Sequence, residues 1–388
     1  MSAVTTLKAP KQTAAHADAS APTISVAQLS TELAAQFPER GDVIRMMLVA
    51  AVAGEHVVVL GPPGTAKSLL ARSLSKAFGA SYFERLMTRF TTPEEVFGPV
   101  KLSGLQQDRF TRATAGYLPS AEVVFLDEVF KANSAILNAL LTALNERLFH
   151  DDGAAQPIPL LTCIAASNEL PEGPELDALY DRFLVRLETR YIADRDAFRA
   201  MLTAAPIQIA SRVAIRAEQS AARAVVVSND TIDALISLRD ACAKAKIVVS
   251  DRRWRQCLSV VRAAAHIDGR TTTEPEDLDV LEHVLWRKPD EQSAVARLVQ
   301  SVVNPNGAKA VEELDAARDL VAKLPTPGSI DAGAYMSAIG SAAKDVAEIL
   351  ARVERLTPSR KVTTAKTEIA KIKRDVAMLA MRAAGIQL

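Results

Sequence analysis

The segment from Gly61 to Ser68 has the residue types best suited to chemistry in this sequence. It reads GPPGTAKS and follows an apolar, β-branched run, Val57 to Leu60. Glycines permit a tight loop, and backbone N–H groups at a helix start attract phosphate. Lys67 could neutralise the β and γ oxygens of a nucleotide, and Ser68 could place a hydroxyl on Mg²⁺. The pattern predicts a phosphate-binding loop, with an ordinary strand–turn–helix corner as the alternative.

One position differs from the general form of this motif, G-x-x-x-x-G-K-S. Ala66 occupies the place of the last glycine, and its methyl group restricts φ without necessarily blocking the loop. From Ala66 onward the apolar residues recur every three or four positions, which predicts a helix that ends at Gly79. The residues predicted to bind the nucleotide in this loop are Gly61, Pro62, Pro63, Gly64, Thr65, Ala66, Lys67, Ser68 and Leu69.

Two adjacent acids, Asp127 and Glu128, follow a second apolar run, Val123 to Leu126. Ligands of open α/β sheets bind at the carboxyl ends of the strands. We therefore expect Asp127 to contact the nucleotide and hold Mg²⁺ together with Ser68. Glu128 is the candidate general base that activates the attacking water. A solvated strand end would also place acids here, but the phosphate-binding loop upstream favours the functional interpretation.

Two further polar residues stand next to predicted strands. Asn168 follows a strand predicted over 160–166, where its amide could touch the γ-phosphate or the attacking water, or simply cap the next turn. Arg182 precedes a strand predicted over 184–187 and could reach the nucleotide of a neighbouring subunit. The alternative for Arg182 is an exposed ion pair with Asp181.

Arg252 and Arg253 lie in the first turn of a helix predicted over 251–266. Cations at that end oppose the helix dipole, and a bound phosphate would remove the conflict. Both arginines are therefore candidates for binding the nucleotide, and two solvated side chains are the alternative.

Composition limits the classes of protein to be considered. With 388 residues, the chain is long enough for two or three domains. Its 46 basic and 46 acidic residues give a net charge of zero, which makes nucleic acid an unlikely partner. The three cysteines lack CxxC spacing and are expected to be buried thiols. We find no membrane-spanning run and no secretion signal, and we expect a cytoplasmic protein.

The predicted secondary structure divides the chain into four segments, and the α/β and helical segments must position these residues. Residues 1–22 are predicted to form a flexible tail, and 23–205 alternate strands with helices, as in a parallel α/β domain. An inserted loop or hairpin is expected at 98–119, and a second hairpin at 149–159. From 206 to 290 only helices are predicted, over 207–223, 229–245, 251–266 and 275–286. Residues 291–388 form a helical arm, with a helical hairpin interrupted at 357–359.

Taken together, these motifs resemble the MoxR branch of the AAA+ ATPases, and closely its RavA-type members. The resemblance covers about residues 40 to 288, and Ala66 is usual in this branch. Its motifs are GPPGTAKS, MTRFTTPEEVFGP, GYLPSAEVVFLDE, LLTALNERLF, AASNELPE, LYDRFLVRL and SDRRW. The resemblance implies an AAA+ P-loop αβα sandwich with a parallel five-stranded sheet, followed by an all-α lid.

The resemblance also implies roles that spacing alone leaves open. Lys67 and Ser68 match Walker A, Asp127 and Glu128 match Walker B, Asn168 matches sensor 1, Arg182 matches an arginine finger acting in trans, and Arg252 or Arg253 matches sensor 2 of the lid. Members of the family form hexameric rings, hydrolyse ATP with Mg²⁺, and commonly act as chaperones with a von Willebrand factor A (VWA) domain protein.

The family carries its two inserts, here 98–119 and 149–159, facing the pore or partners. RavA-type members have a small β-rich domain in the arm, and residues 289–388 lack such a stretch, which puts docking through that domain in doubt. We therefore expect an ATP-driven motor that remodels a protein client. A nucleotide-gated scaffold with incidental hydrolysis is the alternative, and a DNA-directed ATPase is disfavoured by the net charge.

Overall fold

The computed structural model describes residues 21–303, 305–325, 331–356 and 360–383. The chain divides into two compact units. The first comprises the residues up to 232 together with 247–292, and the second comprises 233–246 and the residues from 293 onward. All but two residues of the predicted tail, 1–22, lie outside the described residues, and the Pro22 carbonyl accepts a hydrogen bond from the Arg212 N–H (2.9 Å).

A five-stranded parallel sheet forms the centre of the first unit, as expected. Its strand order is β2-β3-β6-β1-β7, and β4 pairs with β5 in a separate antiparallel hairpin. The strands are β1 (Val57–Leu60), β2 (Tyr82–Leu86), β3 (Val123–Asp127), β4 (Leu148–Asp151), β5 (Ala154–Pro157), β6 (Thr162–Ser167) and β7 (Val185–Glu188). Every residue of β1 and β6 is buried, because helices cover both faces of a parallel sheet.

Helices connect the strands and continue after the last one. They are α1 (Val26–Gln36), α2 (Gly41–Ala53), α3 (Lys67–Phe78), α4 (Pro93–Phe97), α5 (Leu102–Leu105), α6 (Ser134–Glu146), α7 (Pro174–Tyr180), α8 (Arg195–Thr203), α9 (Ile215–Ala224), α10 (Asn229–Lys244, mostly in the second unit) and α11 (Asp251–Ile267). The helix end predicted at Gly79 is confirmed. Gly79 ends α3 in the left-handed conformation (φ +60°), and the Asn133 side chain caps α6 by accepting from the Ile136 N–H.

Two predicted helices differ from the structure. Residues 207–214 are not helical, because their backbone bonds to other segments: the Arg212 N–H and C=O bond to Pro22 and Ile24, and the Val213 N–H donates to the Ala77 carbonyl. The segment Pro275–His283 is a 3₁₀-helix rather than an α-helix.

The two predicted inserts contact one another. The hairpin β4–β5 turns at Asp152 and Gly153, both with positive φ, as the Asp-Asp-Gly signal predicts. The 98–119 insert holds the short helix α5. The Asp152 carboxylate accepts from the Phe110 N–H (2.8 Å) and from Arg109 Nε (3.0 Å), so the tip of the hairpin holds this loop in place.

The second unit is helical throughout its described residues. It contains most of α12 (Pro289–Val303), α13 (Pro305–Ala322), α14 (Ala332–Glu354) and α15 (Arg360–Ala383). Ala317, Val346 and Ile369 are among the buried residues that join the last three helices. The interruption predicted at 357–359 lies outside the described residues. In the described part of the chain, no helix combines the length and apolar character needed to span a membrane.

Candidate functional site

The predicted phosphate-binding loop, Gly61 to Ser68, connects β1 to α3 at the carboxyl edge of the sheet. Gly61 (φ +141°) passes so close to β7 that a Cβ there would lie 2.1 Å from the Thr189 carbonyl oxygen. Gly64 (φ +79°) faces open space. Ala66 has a left-handed conformation (φ +66°), which explains why glycine is usual at this position. The loop thus keeps its shape with alanine, at a backbone cost of about 1–2 kcal/mol.

Lys67 begins α3 with its side chain folded back over the loop. Its ammonium donates to the carbonyls of Gly61 (2.6 Å) and Pro62 (3.0 Å). Burial lowers the pKa of Lys67, and the nearby Asp127 and Glu128 carboxylates oppose that shift. The cation is therefore held by weak carbonyl acceptors in a site where a phosphate would bind it more strongly.

Other residues, which the sequence analysis missed, hold the loop from behind. The Thr65 hydroxyl lies 3.0 Å from both the Pro62 carbonyl and the Thr189 hydroxyl. Buried Arg40, at the start of α2, donates from Nε to the Thr65 carbonyl (3.4 Å) and through its guanidinium to the Arg190 carbonyl (2.6 Å). No spacing rule identifies Arg40 or Thr189, because both act through contacts distant in sequence.

The acid pair lies at the end of β3, beside the loop. Burial raises the pKa of Asp127, whose Oδ1 accepts from the Glu128 N–H (3.1 Å). Glu128 has a left-handed backbone (φ +52°), and its Oε2 lies 3.2 Å from Lys131 Nζ. That oxygen is nevertheless buried without a well-aligned hydrogen bond to any described residue. The Ser68 hydroxyl and the Asp127 carboxylate are hard oxygen donors of the kind that Mg²⁺ prefers, so the residues present fit the predicted metal.

Asn168 follows β6, between the strands that carry the loop and the acid pair. It is exposed, and its side chain has no hydrogen-bond partner among the described residues. The turn is held instead by Ser167, whose hydroxyl accepts from the Glu169 N–H (3.1 Å). The alternative that Asn168 caps this turn is therefore wrong.

An apolar cavity of about 720 Å³ adjoins the loop at Gly64, Thr65 and Ala66. Its apolar lining includes Phe37, Pro38, Leu69, Tyr191, Ile192, Phe198 and Met201. These side chains come from the connection before α2, from the first turn of α3 and from the segment after β7. A flat, apolar ring bound here would lie beside the phosphate-binding backbone. The sequence analysis missed this cavity because two of its walls, at Phe37 and Pro38 and from Tyr191 onward, are more than 150 residues apart in the chain.

Arg182 lies at the opposite edge of the sheet, before the amino end of β7. Strands β1 and β7 are parallel, with Val57 paired to Val185, so four residues separate this edge from the loop, roughly 13 Å of strand. Its Nε is buried without a hydrogen-bond partner among the described residues. Asp181 is paired with Arg186 and Arg253, so the alternative for Arg182, an exposed ion pair with Asp181, is wrong.

The two arginines of α11 also lie away from the phosphate-binding loop of their own chain. Arg253 is buried, and its guanidinium bonds to Asp181 and to the backbone before β7. Protein groups rather than a phosphate therefore compensate its positive charge near the start of the helix. Arg252 is exposed and donates to Asn145 Oδ1 (2.5 Å). Within one chain, the hydrogen bonds of both arginines go to Asn145, Asp181 and backbone carbonyls and not to the loop, so their binding to a nucleotide stays a prediction.

Comparisons with known proteins agree with this architecture. A family model for the MoxR domain in MoxR-vWA-beta-propeller ternary systems matches residues 25–235, and an AAA lid domain model matches residues 230–299. Uncharacterized protein MJ0079 of Methanocaldococcus jannaschii is 38% identical over 302 residues, which cover 76% of this chain and 79% of that protein.

Two more distant similarities extend the comparison. Chaperone MoxR1 of Mycobacterium tuberculosis is 26% identical over 152 residues, 38% of this chain and 40% of that protein. A solved structure from Cytophaga hutchinsonii has a TM-score of 0.57 at 16% identity, covers 71% of this chain and 92% of its own, and shows the same fold. The matched MoxR domain spans more than half of this chain and includes the loop, the acid pair and Arg182. The chain belongs to the MoxR family of AAA+ ATPases.

Proposed function

We propose that this protein hydrolyses ATP in a hexameric ring and uses the turnover to remodel a protein client. The observation that carries the proposal is the separation of two complementary groups on opposite edges of one sheet. The phosphate-binding loop and acids lie at the carboxyl edge, and Arg182, with an unpartnered Nε, lies at the amino edge. A ring built by head-to-tail contacts can bring such edges together between neighbouring subunits.

In this proposal the carboxyl edge binds the nucleotide. The base enters the apolar cavity, the loop N–H groups and Lys67 bind the phosphates, and Ser68 and Asp127 hold Mg²⁺. Mg²⁺ would neutralise charge that develops on the phosphate oxygens. Glu128 accepts the proton of the attacking water, and Asn168 hydrogen-bonds to that water or to the γ-phosphate.

The amino edge completes the site of the next subunit. Arg182 stabilises the charge of the transition state, a contribution on the order of 10³ to 10⁵ in rate for such arginines. Of the two lid candidates, exposed Arg252 is the better one for contacting a neighbour's phosphates, since the guanidinium of Arg253 is buried and bonded internally.

The same proposal covers partners and location. The family model is named for systems that include a vWA protein, and one relative is named a chaperone, which supports a VWA-domain partner and a protein client. The loop held by the β4–β5 hairpin exposes Leu102, Leu105 and Phe110, side chains suited to contact an apolar client. RavA-type membership and a cytoplasmic location remain predictions.

A mixing experiment tests the shared site. Lys67→Ala leaves a subunit without a working loop but with its arginine, and Arg182→Ala does the reverse. Each variant alone should be inactive as an ATPase. Co-assembled in equal amounts, the two should recover activity at about a quarter of the interfaces, where an intact arginine meets an intact loop.

Two controls make the result decisive. Arg216→Ala removes an exposed arginine at the same edge, paired with Glu122, and should leave turnover unchanged. Glu128→Gln should bind ATP without hydrolysing it. Failure of the mixture to recover activity, with both variants assembled, would refute an arginine acting in trans. Assembly that responds to ATP while Glu128→Gln turns over normally would favour the scaffold alternative.

A further inference from the structure

The turn that carries Arg182 is bound on both sides by one buried arginine. Arg253 Nη1 donates to Asp181 Oδ1 (3.1 Å), the residue before Arg182. Its Nη2 donates to the carbonyls of Phe183 (3.1 Å) and Leu184 (2.7 Å), the two residues after Arg182. Each nitrogen of this guanidinium therefore bonds to the protein, with Nε on the Val284 carbonyl (2.7 Å).

A second buried arginine approaches the same carboxylate from the sheet. Arg186, on β7, is 1% exposed, stacks on the Tyr180 ring (4.1 Å) and lies 3.8 Å from Asp181 Oδ1. Burial and the nearby Arg253 lower the pKa of Arg186 to about 9. Asp181 is thus the carboxylate that compensates two buried cations.

We propose that Asp181, Arg186 and Arg253 form a positioning device that fixes the turn carrying Arg182 and joins it to lid helix α11. Arg253 is then a positioning residue and not a phosphate ligand. The proposal rests on the proposed function, because it concerns the arginine donated to the next subunit. A substitution in this device should therefore impair ATP hydrolysis at the neighbouring subunit's site and leave the nucleotide pocket of its own subunit intact.

The physical reason lies in geometry. A planar guanidinium with several fixed donors defines the relative positions of the groups it binds, which a single ion pair does not. Arg253 fixes the backbone on both sides of Arg182, so the base of that side chain has little freedom. A displacement of about 1 Å in a group that acts on a transition state can reduce the rate roughly a hundredfold.

The test uses the mixing experiment with modified donors. The acceptor carries Arg182→Ala, and its own pocket is intact. Three donors are compared: Lys67→Ala, Lys67→Ala with Asp181→Asn, and Lys67→Ala with Asp177→Asn. Asp177 is the matched control, because it is an exposed acid one helical turn earlier, with only a 4.0 Å contact to Arg287. Because every donor pocket is already inactive, only the donated arginine is measured.

We expect the Asp177→Asn donor to restore ATPase activity as well as Lys67→Ala alone, and the Asp181→Asn donor to restore roughly tenfold less or lower. Equal restoration by the Asp181→Asn donor would overturn the positioning device. Failure of the unmodified mixture would instead contradict the proposed function, so the two outcomes are distinguishable.

Two further measurements separate positioning from damage to folding. As a single variant, Asp181→Asn should lower kcat with an unchanged KM for ATP. Its thermal unfolding should show a folded protein, and its elution in gel filtration should match that of the wild-type assembly. Asp181→Glu retains the charge and should recover part of the lost turnover. Loss of ATP binding by Asp181→Asn, or no recovery with Asp181→Glu, would show a general structural role and refute the proposal.

Discussion

The two edges of the central sheet differ in how their polar groups are satisfied. At the carboxyl edge, Lys67 rests on loop carbonyls, one oxygen of Glu128 has no well-aligned partner, and the Asn168 side chain has none among the described residues. At the amino edge, Arg253 is fully engaged, and of the neighbouring cations Arg182 and Arg186 each retain an unpartnered Nε.

This difference indicates what kind of partner each edge of the sheet binds. Unsatisfied buried polar groups cost free energy, and proteins retain them where a ligand will satisfy them. At the carboxyl edge, Lys67 and the loop N–H groups can bind an anion, whereas the Asp127 and Glu128 carboxylates need a cation or a water molecule as partner. At the amino edge, Arg253 bonds to the residues on both sides of Arg182, as suits a surface that presents a rigid group to another protein.

The largest effects are expected from substitutions at Arg182 and Lys67, and each should change a different constant. Arg182→Ala should reduce kcat by about 10³-fold or more with ATP binding retained, because the arginine acts on the transition state. Lys67→Ala should weaken ATP binding itself. Equilibrium binding of a fluorescent nucleotide and steady-state rates measure the two. Loss of binding in Arg182→Ala would remove the distinction between the edges.

Close packing at the carboxyl edge gives the next largest effect, on stability. Gly61→Ala should lower the free energy of unfolding by roughly 3 kcal/mol or more, since its Cβ would collide with the Thr189 carbonyl. Gly64→Ala is the matched control: its φ is also positive, but the site is open, so only about 1–2 kcal/mol of backbone strain is expected. Denaturant unfolding of both variants measures the difference, and equal losses would contradict the close contact with β7.

The sequence predicted the carboxyl edge better than the amino edge, for a physical reason. A phosphate-binding loop is local: strand, glycines, lysine and helix follow one another, and the acid pair follows its own strand. Four of the five parallel strands and the β4–β5 hairpin were likewise readable from apolar runs and turn residues, whereas β2, with the mixed sequence YFERL, has no such run.

The amino edge depends on contacts between segments distant in sequence. From the sequence, the position of Arg253 in the first turn of a helix suggested a phosphate ligand. In the structure its guanidinium bonds instead to Asp181 and to backbone carbonyls about 70 positions away, which no local pattern indicates. Residues 207–214 were predicted to be helical and are not, for the same reason: their backbone bonds to the distant residues Pro22 and Ala77. The apolar cavity beside the loop also unites distant segments.

The amino edge also makes a pH-dependent contribution to stability through His56. Nδ1 accepts from the Cys163 N–H (3.0 Å), so the proton lies on Nε2, which donates to the Leu144 carbonyl (2.9 Å). Burial lowers the pKa of His56 to about 3 from an ordinary value of 6.5. The unfolded chain therefore binds a proton that the folded one excludes, and stability present above pH 6.5 is lost as the pH falls toward 3.

We expect the titration of His56 to lower the free energy of unfolding by roughly 2 kcal/mol between pH 6 and pH 4, in addition to the change shown by a variant without this histidine. His56→Gln keeps a donor for Leu144 and should show a shallower slope of stability against pH. The control, His150→Gln, changes an exposed histidine on β4 and should keep the wild-type slope. Identical slopes for wild type and His56→Gln would exclude a buried neutral imidazole.

The smallest expected effect tests whether strain at the carboxyl edge is tolerated or needed. Ala66→Gly removes the methyl group from a left-handed position and should raise the free energy of unfolding by about 1 kcal/mol or less, because glycine adopts that conformation without strain. Ala71→Gly, in the buried interior of α3, should have the opposite sign and cost about 1 kcal/mol. If Ala66→Gly instead destabilises the protein while its KM for ATP rises, the methyl group itself supports the loop, and the carboxyl edge is more rigid than its available polar groups indicate.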